Sequence, residues 1–354
     1  MNQKHVVIAM SGGIDSSVSA YLLLKKGYKV TGMYMKNWED DEYCTGQQDY
    51  EDALLVADKL GIALHTVNFS KEYKENVFKH FLEGYKNGVT PNPDILCNKE
   101  IKFKLLLEKA LQIGADYLAT GHYADITIEN DTYFLTNAVD TNKDQTYFLY
   151  TLNQSQLSKS IFPLGKLKKS EIRTIANEIG LHNANKKDST GICFVGKRDF
   201  REFISKYITN SPGKIVTDEG KVIGKHNGLH QFTIGQRKGI NVGGEGDAWF
   251  VCDKHIKNNQ LIVVQGKDHP RLLRDTLKAT NEHWISNKPN FMDRPFSCYA
   301  KIRYRQEIVP CQILTMSNEQ IIDVKFDTPQ RAITPSQSIV FYKNNRCLGG
   351  AIIT

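Results

Sequence analysis

Residues 5–10 (HVVIAM) form an apolar run that passes directly into Ser11-Gly12-Gly13-Ile14-Asp15-Ser16-Ser17. Residues 18–26 then place apolar side chains at helical spacing before Gly27. A strand, a tight glycine-bearing loop and a helix start, in that order, constrain this chain more than any other feature. The two glycines allow backbone N–H groups to turn toward one point. The helix start adds its partial positive charge there, and Ser16 and Ser17 offer hydroxyl donors. Such a loop suits a phosphate or pyrophosphate. A Gly-Ser turn that caps a helix, with Asp15 in its first turn, is the plainer alternative.

The spacing excludes two commoner phosphate loops, Gly-x-x-x-x-Gly-Lys-Ser/Thr and Gly-x-Gly-x-x-Gly. Ser-Gly-Gly-Ile-Asp-Ser resembles the loop of the ATP pyrophosphatases, which split ATP between its α and β phosphates and adenylate a substrate oxygen. Downstream, strand and helix alternate. Residues 30–35, 63–69 and 117–120 read as strands; residues 49–60, 71–85 and 99–113 read as helices. The pattern predicts a parallel sheet with helices on both faces. Ligands of such sheets bind at the carboxyl ends of strands, where the Ser-Gly-Gly loop, residues 33–38 and Thr120-Gly121-His122 all lie. Residues 168–179 and 198–207 read as further helices. Beyond Pro212-Gly213, short strands and turns such as Asp218-Glu219-Gly220 and residues 343–346 dominate. The expected organisation is an α/β domain over 1–207, a small β-rich central domain over 208–275, and a C-terminal β-barrel over 276–354.

With 354 residues, two or three domains are expected. No apolar run reaches the ~20 residues of a membrane helix. The N-terminus leads straight into a strand, which argues against a signal peptide and makes a cytoplasmic location the default. A net charge of +7 suits an anionic partner such as nucleic acid. Seven cysteines are dispersed, none in Cys-x-x-Cys. That spacing excludes a zinc ribbon or thioredoxin-like motif and argues against a disulfide framework.

Two cysteines stand in distinctive surroundings. In residues 92–98 (NPDILCN), Pro91 and Pro93 force an extended approach. Asp94 and Cys97 then fall just before the helix expected at Lys99, where a thiol has a lowered pKa. Cys193, in residues 188–194 (DSTGICF), follows a Gly-bearing polar turn. Either could instead be a small buried hydrophobe. Cys44 is a weaker candidate, and Cys252, Cys298, Cys311 and Cys347 sit in β-patterned segments.

Over its whole length the chain resembles the tRNA-specific 2-thiouridylases. The resemblance lies in residues 9–16 (AMSGGIDS), 32–38 (GMYMKNW), 92–104 (NPDILCNKEIKFK), 120–124 (TGHYA), 143–147 (KDQTY) and 188–194. It continues through 228–239 (GLHQFTIGQRKG), 299–306 (YAKIRYRQ) and 332–342 (AITPSQSIVFY). One departure is Ser336, where the family usually has Gly. The resemblance implies ATP, with Mg²⁺, bound by Ala9, Met10, Ser11, Gly12, Gly13, Ile14, Asp15 and Ser16, and Met35 and Gly121 beside the adenosine. It implies Cys193 as persulfide carrier, Cys97 as nucleophile able to pair with Cys193, and Asp94 as acid or base. Asn92, Pro93 and Asp94 would surround the target base. His122, Lys143, Asp144, Gln145, Arg303, Tyr304 and Gln337 would contact tRNA. The implied substrates are the wobble-uridine tRNAs for Lys, Glu and Gln, and the implied sulfur source is a persulfide relay protein or cysteine desulfurase.

Two enzyme classes compete with this reading. A small-molecule ligase that adenylates its substrate explains the first loop but not the two separated cysteines or the β-rich end. An iron–sulfur tRNA thiolase would commonly carry Cys-x-x-Cys pairs, absent here, though Cys44, Cys97 and Cys193 could still gather on a metal. A non-catalytic RNA-binding module has no use for the ATP loop.

Overall fold

The computed structural model describes residues 3–38, 46–188, 199–289, 295–318 and 321–354. The N-terminal part carries β1 (His5–Met10), β2 (Lys29–Lys36), β3 (Leu64–Asn68), β4 (Tyr117–Ala119), β5 (Asp125–Glu129), β6 (Thr132–Thr136) and β7 (Ser160–Ile161). Five of these form the expected parallel sheet, in the order β3-β2-β1-β4-β7. In β1, Val6, Val7 and Ile8 are all fully buried, as a strand covered on both faces requires. Successive side chains point to opposite faces. Val6 and Ile8 pack with α1 (Ile14–Lys25), α2 (Gly46–Leu60) and the helix Lys169–Glu178. Val7 packs with Phe103, Leu106 and Leu107 on the other side.

The chain winds from β1 out to β3, then returns to lay β4 on the opposite side of β1. Winding direction therefore reverses between β1 and β4, and the crevice at the carboxyl ends of these two strands is the natural ligand position.

The helix expected at 99–113 begins earlier than the sequence predicts. It runs through Pro93–Leu96, a π-helical stretch Cys97–Leu106, and Leu107–Gln112. Asn92 caps it, its side chain accepting from the Asp94 N–H at 3.0 Å. Pro93, which reads as a break, is the first helical residue, where its fixed φ fits and its missing N–H is not needed.

A four-stranded central sheet follows, made of β8 (Gly213–Thr217), β9 (Val222–His226), β10 (Trp249–His255) and β11 (Gln260–Gln265) in the order β10-β11-β8-β9. The last strands are β12 (Leu273–Trp284), β13 (Phe296–Lys301), β14 (Val309–Asn318), β15 (Ile321–Arg331), β16 (Ser338–Lys343) and β17 (Arg346–Ile353). They close into a six-stranded barrel through the pairing of β12 with β17.

The sequence reading does not anticipate the β5–β6 hairpin. Its turn residues Asn130 and Asp131 both have positive φ, 47° and 58°, the backbone that a two-residue hairpin favours. β6 pairs with β17, so the first domain adds two strands to the barrel sheet. The barrel and the parallel sheet also share a core, with Tyr147, Tyr150, Val340 and Tyr342 in the same buried cluster as Val7. The Tyr147 hydroxyl donates to the Ser338 carbonyl at 2.9 Å. Among the described residues, no helix is long and apolar enough to cross a membrane.

Ser336, the departure from the family pattern, has φ +66°, and its N–H donates to the Ile353 carbonyl at 2.8 Å. The left-handed backbone penalises any Cβ. Ser336→Gly therefore raises stability by about 1 kcal/mol, read as a higher urea midpoint at unchanged slope.

Candidate active site at the reversal of the parallel sheet

The loop after β1 is shaped by close backbone packing. Gly12 has φ +72°, and a Cβ there would lie 2.2 Å from the Asp49 carbonyl oxygen. Gly13 precedes α1 with no side-chain cap, which leaves first-turn N–H groups for a ligand. Gly121, in the loop after β4, lies against the same turn; a Cβ there would be 2.9 Å from the Ser16 nitrogen. Only glycines let the two loops meet. Ser16 and Ser17 differ from expectation: both are buried, and both hydroxyls donate to the Gly13 carbonyl, at 3.0 and 2.9 Å. They brace the loop and are not free donors. Asn183 and Lys186 reinforce it from behind, each donating to the Gly12 carbonyl. Ala9 and Met10 end β1 beside this loop, and Met35 lies near the end of β2, partly buried between two cores.

A chain of charges starts at Asp15. Its Oδ1 accepts from the Tyr123 hydroxyl and from Lys169 Nζ, both at 2.7 Å. Lys169 also pairs with Asp188 at 2.7 Å, and Lys143 pairs with Asp188 at 2.6 Å. Burial works to raise the Asp188 carboxyl, but the hydrogen bonds and charges of Lys143 and Lys169 outweigh it and hold it below the usual carboxylate range. Asp188 is the first residue of the segment that carries Cys193. Cys193 and Cys44 lie outside the described residues, and so does the pairing of Cys97 with Cys193. Sequence reading missed Lys169 and Tyr123; neither is part of a phosphate-loop pattern.

The sequence predicts a lowered pKa at Cys97, and the structure reverses this. Cys97 lies inside the helix, 7% exposed, in a cluster with Trp38, Tyr73, Phe78 and Phe203. Burial pushes its thiol up, Lys102 pulls it down, and Asp94 adds to the rise. Lys99, the expected neighbour, pairs with Glu100 at 3.6 Å. The effective cation is Lys102. Residues 97–106 bond as a π-helix, in which i and i+5 share a face, bringing Lys102 over Cys97. Asp94 is raised by burial, with Lys102 opposing. His122 is held well below its ordinary value by burial and then by Lys102, so the ring is neutral. One ammonium thus acts on Asp94, Cys97 and His122 together. His122 follows Gly121, so the helix of Asn92, Pro93, Asp94 and Cys97 and the phosphate loop face one crevice.

The residues expected to touch tRNA fall into two groups. His122 and Asp144 are buried. His122 Nδ1 is 2.7 Å from the Thr120 hydroxyl; Asp144 accepts from the Ala138 N–H and the Thr146 hydroxyl. Arg303 donates to the carbonyls of Ile234 and Ala332, at 3.0 and 2.6 Å, joining the central region to the barrel. Gln337 donates to the Thr90 carbonyl. These four brace the fold with the groups expected to bind RNA. Lys143, Gln145 and Tyr304 are half-buried. Gln145 accepts from the Tyr123 N–H at 3.0 Å, and Tyr304 packs on Phe148 with ring centroids 4.4 Å apart.

Residues 4–197 match a family model described as the tRNA methyl transferase HUP domain. Residues 201–265 match its PRC-barrel domain, and residues 274–353 match an aminomethyltransferase beta-barrel domain. The tRNA-specific 2-thiouridylase MnmA of Photobacterium profundum is 55% identical over 366 residues, covering 99% of this chain and 96% of that protein. The protein of the same name from Klebsiella pneumoniae is 55% identical, covering 99% of this chain and 97% of that protein. That of Methylobacillus flagellatus is 54% identical and covers 99% of each. The chain belongs to the tRNA-specific 2-thiouridylase family. Three of the segments in which this 2-thiouridylase resembles its family, around residues 11–16, 92–98 and 120–124, converge at the sheet reversal.

Lys102→Met removes the charge that opposes burial at Cys97. Alkylation of Cys97 by iodoacetamide, mapped by peptide mass, then shifts to higher pH and slows severalfold at neutral pH. Lys102→Arg keeps the wild-type profile.

Proposed function

We propose that this chain catalyses ATP-dependent 2-thiolation of the wobble uridine of tRNA. The observation that carries the reading is the meeting, at one sheet reversal, of an uncapped glycine-rich helix start with a helix bearing Asp94 and a buried Cys97 thiol. ATP, as its magnesium complex, sets its phosphates on the loop of Ser11, Gly12 and Gly13. Ala9, Met10, Ile14, Asp15 and Ser16 frame this loop, and Met35 and Gly121 lie on the adenosine side. The N–H groups and the helix start stabilise charge that develops on the phosphates. AMP passes to the uridine C2 oxygen and pyrophosphate leaves. Asn92, Pro93 and Asp94 receive the splayed-out base. Asp94, its carboxyl raised by burial, is placed to hold and return a proton as acid or base.

Sulfur arrives as a persulfide on Cys193. Its terminal sulfur bonds to C2, and AMP departs with the former oxygen. The Cys97 thiolate then attacks the Cys193 sulfur. The S–S bond to the transferred sulfur breaks, its electron pair stays on that sulfur, and a Cys97–Cys193 disulfide forms. A dithiol reductant restores both thiols. We assign residues 1–207 to this chemistry, residues 208–275 to linking that domain to the barrel, and residues 276–354 to binding the tRNA, with His122, Lys143, Asp144 and Gln145 of the first domain and Arg303, Tyr304 and Gln337 of the barrel as its contacts. The reading extends to tRNAs for Lys, Glu and Gln, to a persulfide relay protein or cysteine desulfurase as donor, and to the cytoplasm as the place of action.

Nucleoside mass spectrometry of tRNA from cells lacking the protein tests the function: wobble 2-thiouridine disappears, and its persistence overturns the reading. Pyrophosphate release that is equally fast without tRNA would point to a small-molecule ligase. Labelled persulfide tests the thiol roles. Cys193→Ser takes no label, whereas Cys97→Ser is labelled at residue 193 and stalls before thiolated tRNA is released. Label on Cys97 in the wild type reverses the assignment.

A further inference from the structure

The approach to the reactive helix is held from outside its own domain. The helix Lys79–Lys86 ends at Asn87, and Gly88 follows with φ +74°. From β10 of the central sheet, Lys254 Nζ donates to the Gly88 carbonyl at 2.8 Å, placing an ammonium at a helix C-terminus, where positive charge is favoured. Ile256 presses on the same glycine: a Cβ there would lie 2.2 Å from Ile256 Cδ1. Two residues on, the Thr90 hydroxyl lies 3.2 Å from that of Thr233, and the Thr90 carbonyl accepts from Gln337. A small cavity of about 120 Å³, lined by Val89, Thr90, Ile234, Lys254, Ile256 and Thr334, fills the junction.

We propose that Lys254 is a positioning residue for the thiolation reaction: by gripping the Gly88 carbonyl it fixes the turn that delivers Asn92, Pro93, Asp94 and Cys97. The inference rests on the function proposed above. Between Gly88 and Cys97 the chain contains Pro91 and Pro93, whose fixed φ and restricted preceding residues make it a stiff lever. Displacement at Gly88 is therefore passed on to Asp94 and Cys97, where misplacement by about 1 Å can cost on the order of 100-fold in rate. Burial lowers the Lys254 ammonium to about 8, so its charge is present at neutral pH and lost as pH rises through that value. The charged hydrogen bond is stronger than the neutral one. Of the titratable groups near it, His230 feels the Lys254 charge, which adds to the burial that lowers this imidazole, and Asp253 and His255 flank Lys254 in β10 and pair with each other.

The test is single-turnover thiolation by the full-length protein, loaded with persulfide, from pH 6.5 to about 9.5. In the wild type the rate falls on the alkaline side with a midpoint near 8. Lys254→Met lowers the rate about 10-fold at pH 7, leaves the ATP KM within about twofold, and lacks that alkaline limb. Lys254→Arg, charged throughout the range, keeps most of the neutral-pH rate and holds it above pH 8. An unchanged Lys254→Met rate overturns the proposal, as does an alkaline limb that persists in Lys254→Arg. If Lys254→Met does not fold, the Lys254→Arg profile decides alone. A wild type that thiolates no tRNA overturns the proposed function and this inference with it, whereas an active wild type with unaffected variants overturns this inference only.

Discussion

Two close backbone approaches at the sheet reversal, one at Gly12 and one at Gly121, leave no room for a side chain, and the crevice follows from them. Gly12 lies against Asp49 of α2, and Gly121 lies against the first turn of α1. A Cβ at Gly12 would push the loop after β1 away from α2, and one at Gly121 would push the loop after β4 away from the start of α1. In the second case the start of α1 and the loop that carries His122 would no longer share a crevice. The buried Ser16 and Ser17 hydroxyls, both given to the Gly13 carbonyl, brace the loop from the protein side, and the first-turn N–H groups have no side-chain cap.

The electrostatics of the crevice follow from burial more than from helix position. A thiol at an exposed helix start gains from the helix dipole. Cys97 lies deeper, among aromatic rings, where desolvation dominates and keeps it protonated in the resting protein. Lys102 supplies the opposing charge from the same helix because the π-helical stretch turns residues 97 and 102 to one side. A regular α-helix would have sent that ammonium elsewhere.

Much of this was legible in the chain. Alternating periodicity gave the parallel sheet, and the glycine loop marked the reversal point. The proline pair marked a rigid entry to the reactive helix but misplaced its start, because Pro93 at the first helical position looks the same in sequence as Pro93 before a helix. Lys169 was not legible. Its role depends on Asp15 and Asp188, which lie 154 and 19 residues away (169−15 and 188−169) and meet it only in the folded chain. The β5–β6 hairpin carries a turn signal at Asn130-Asp131. Its partner strand β17 begins more than 200 residues later, at Arg346, and local pattern does not reach that far.

The barrel braces the rest of the fold. His122, Asp144, Arg303 and Gln337 look like RNA contacts when judged by residue type, since each has polar groups that a phosphate or base could take. In the fold each also has a partner within the protein, as a polar group withdrawn from water requires: His122 and Asp144 are buried, and Arg303 and Gln337 are half-buried. The partners of Arg303 and Gln337 lie in other regions of the chain, so their bonds tie the barrel to the central region and to the turn at Thr90. The barrel and central region are thereby connected, through Gln337, Thr233 and Lys254, to the same short turn that leads into Asp94 and Cys97. The β-rich part also packs one core with the parallel sheet, so it is not joined to it by a tether alone.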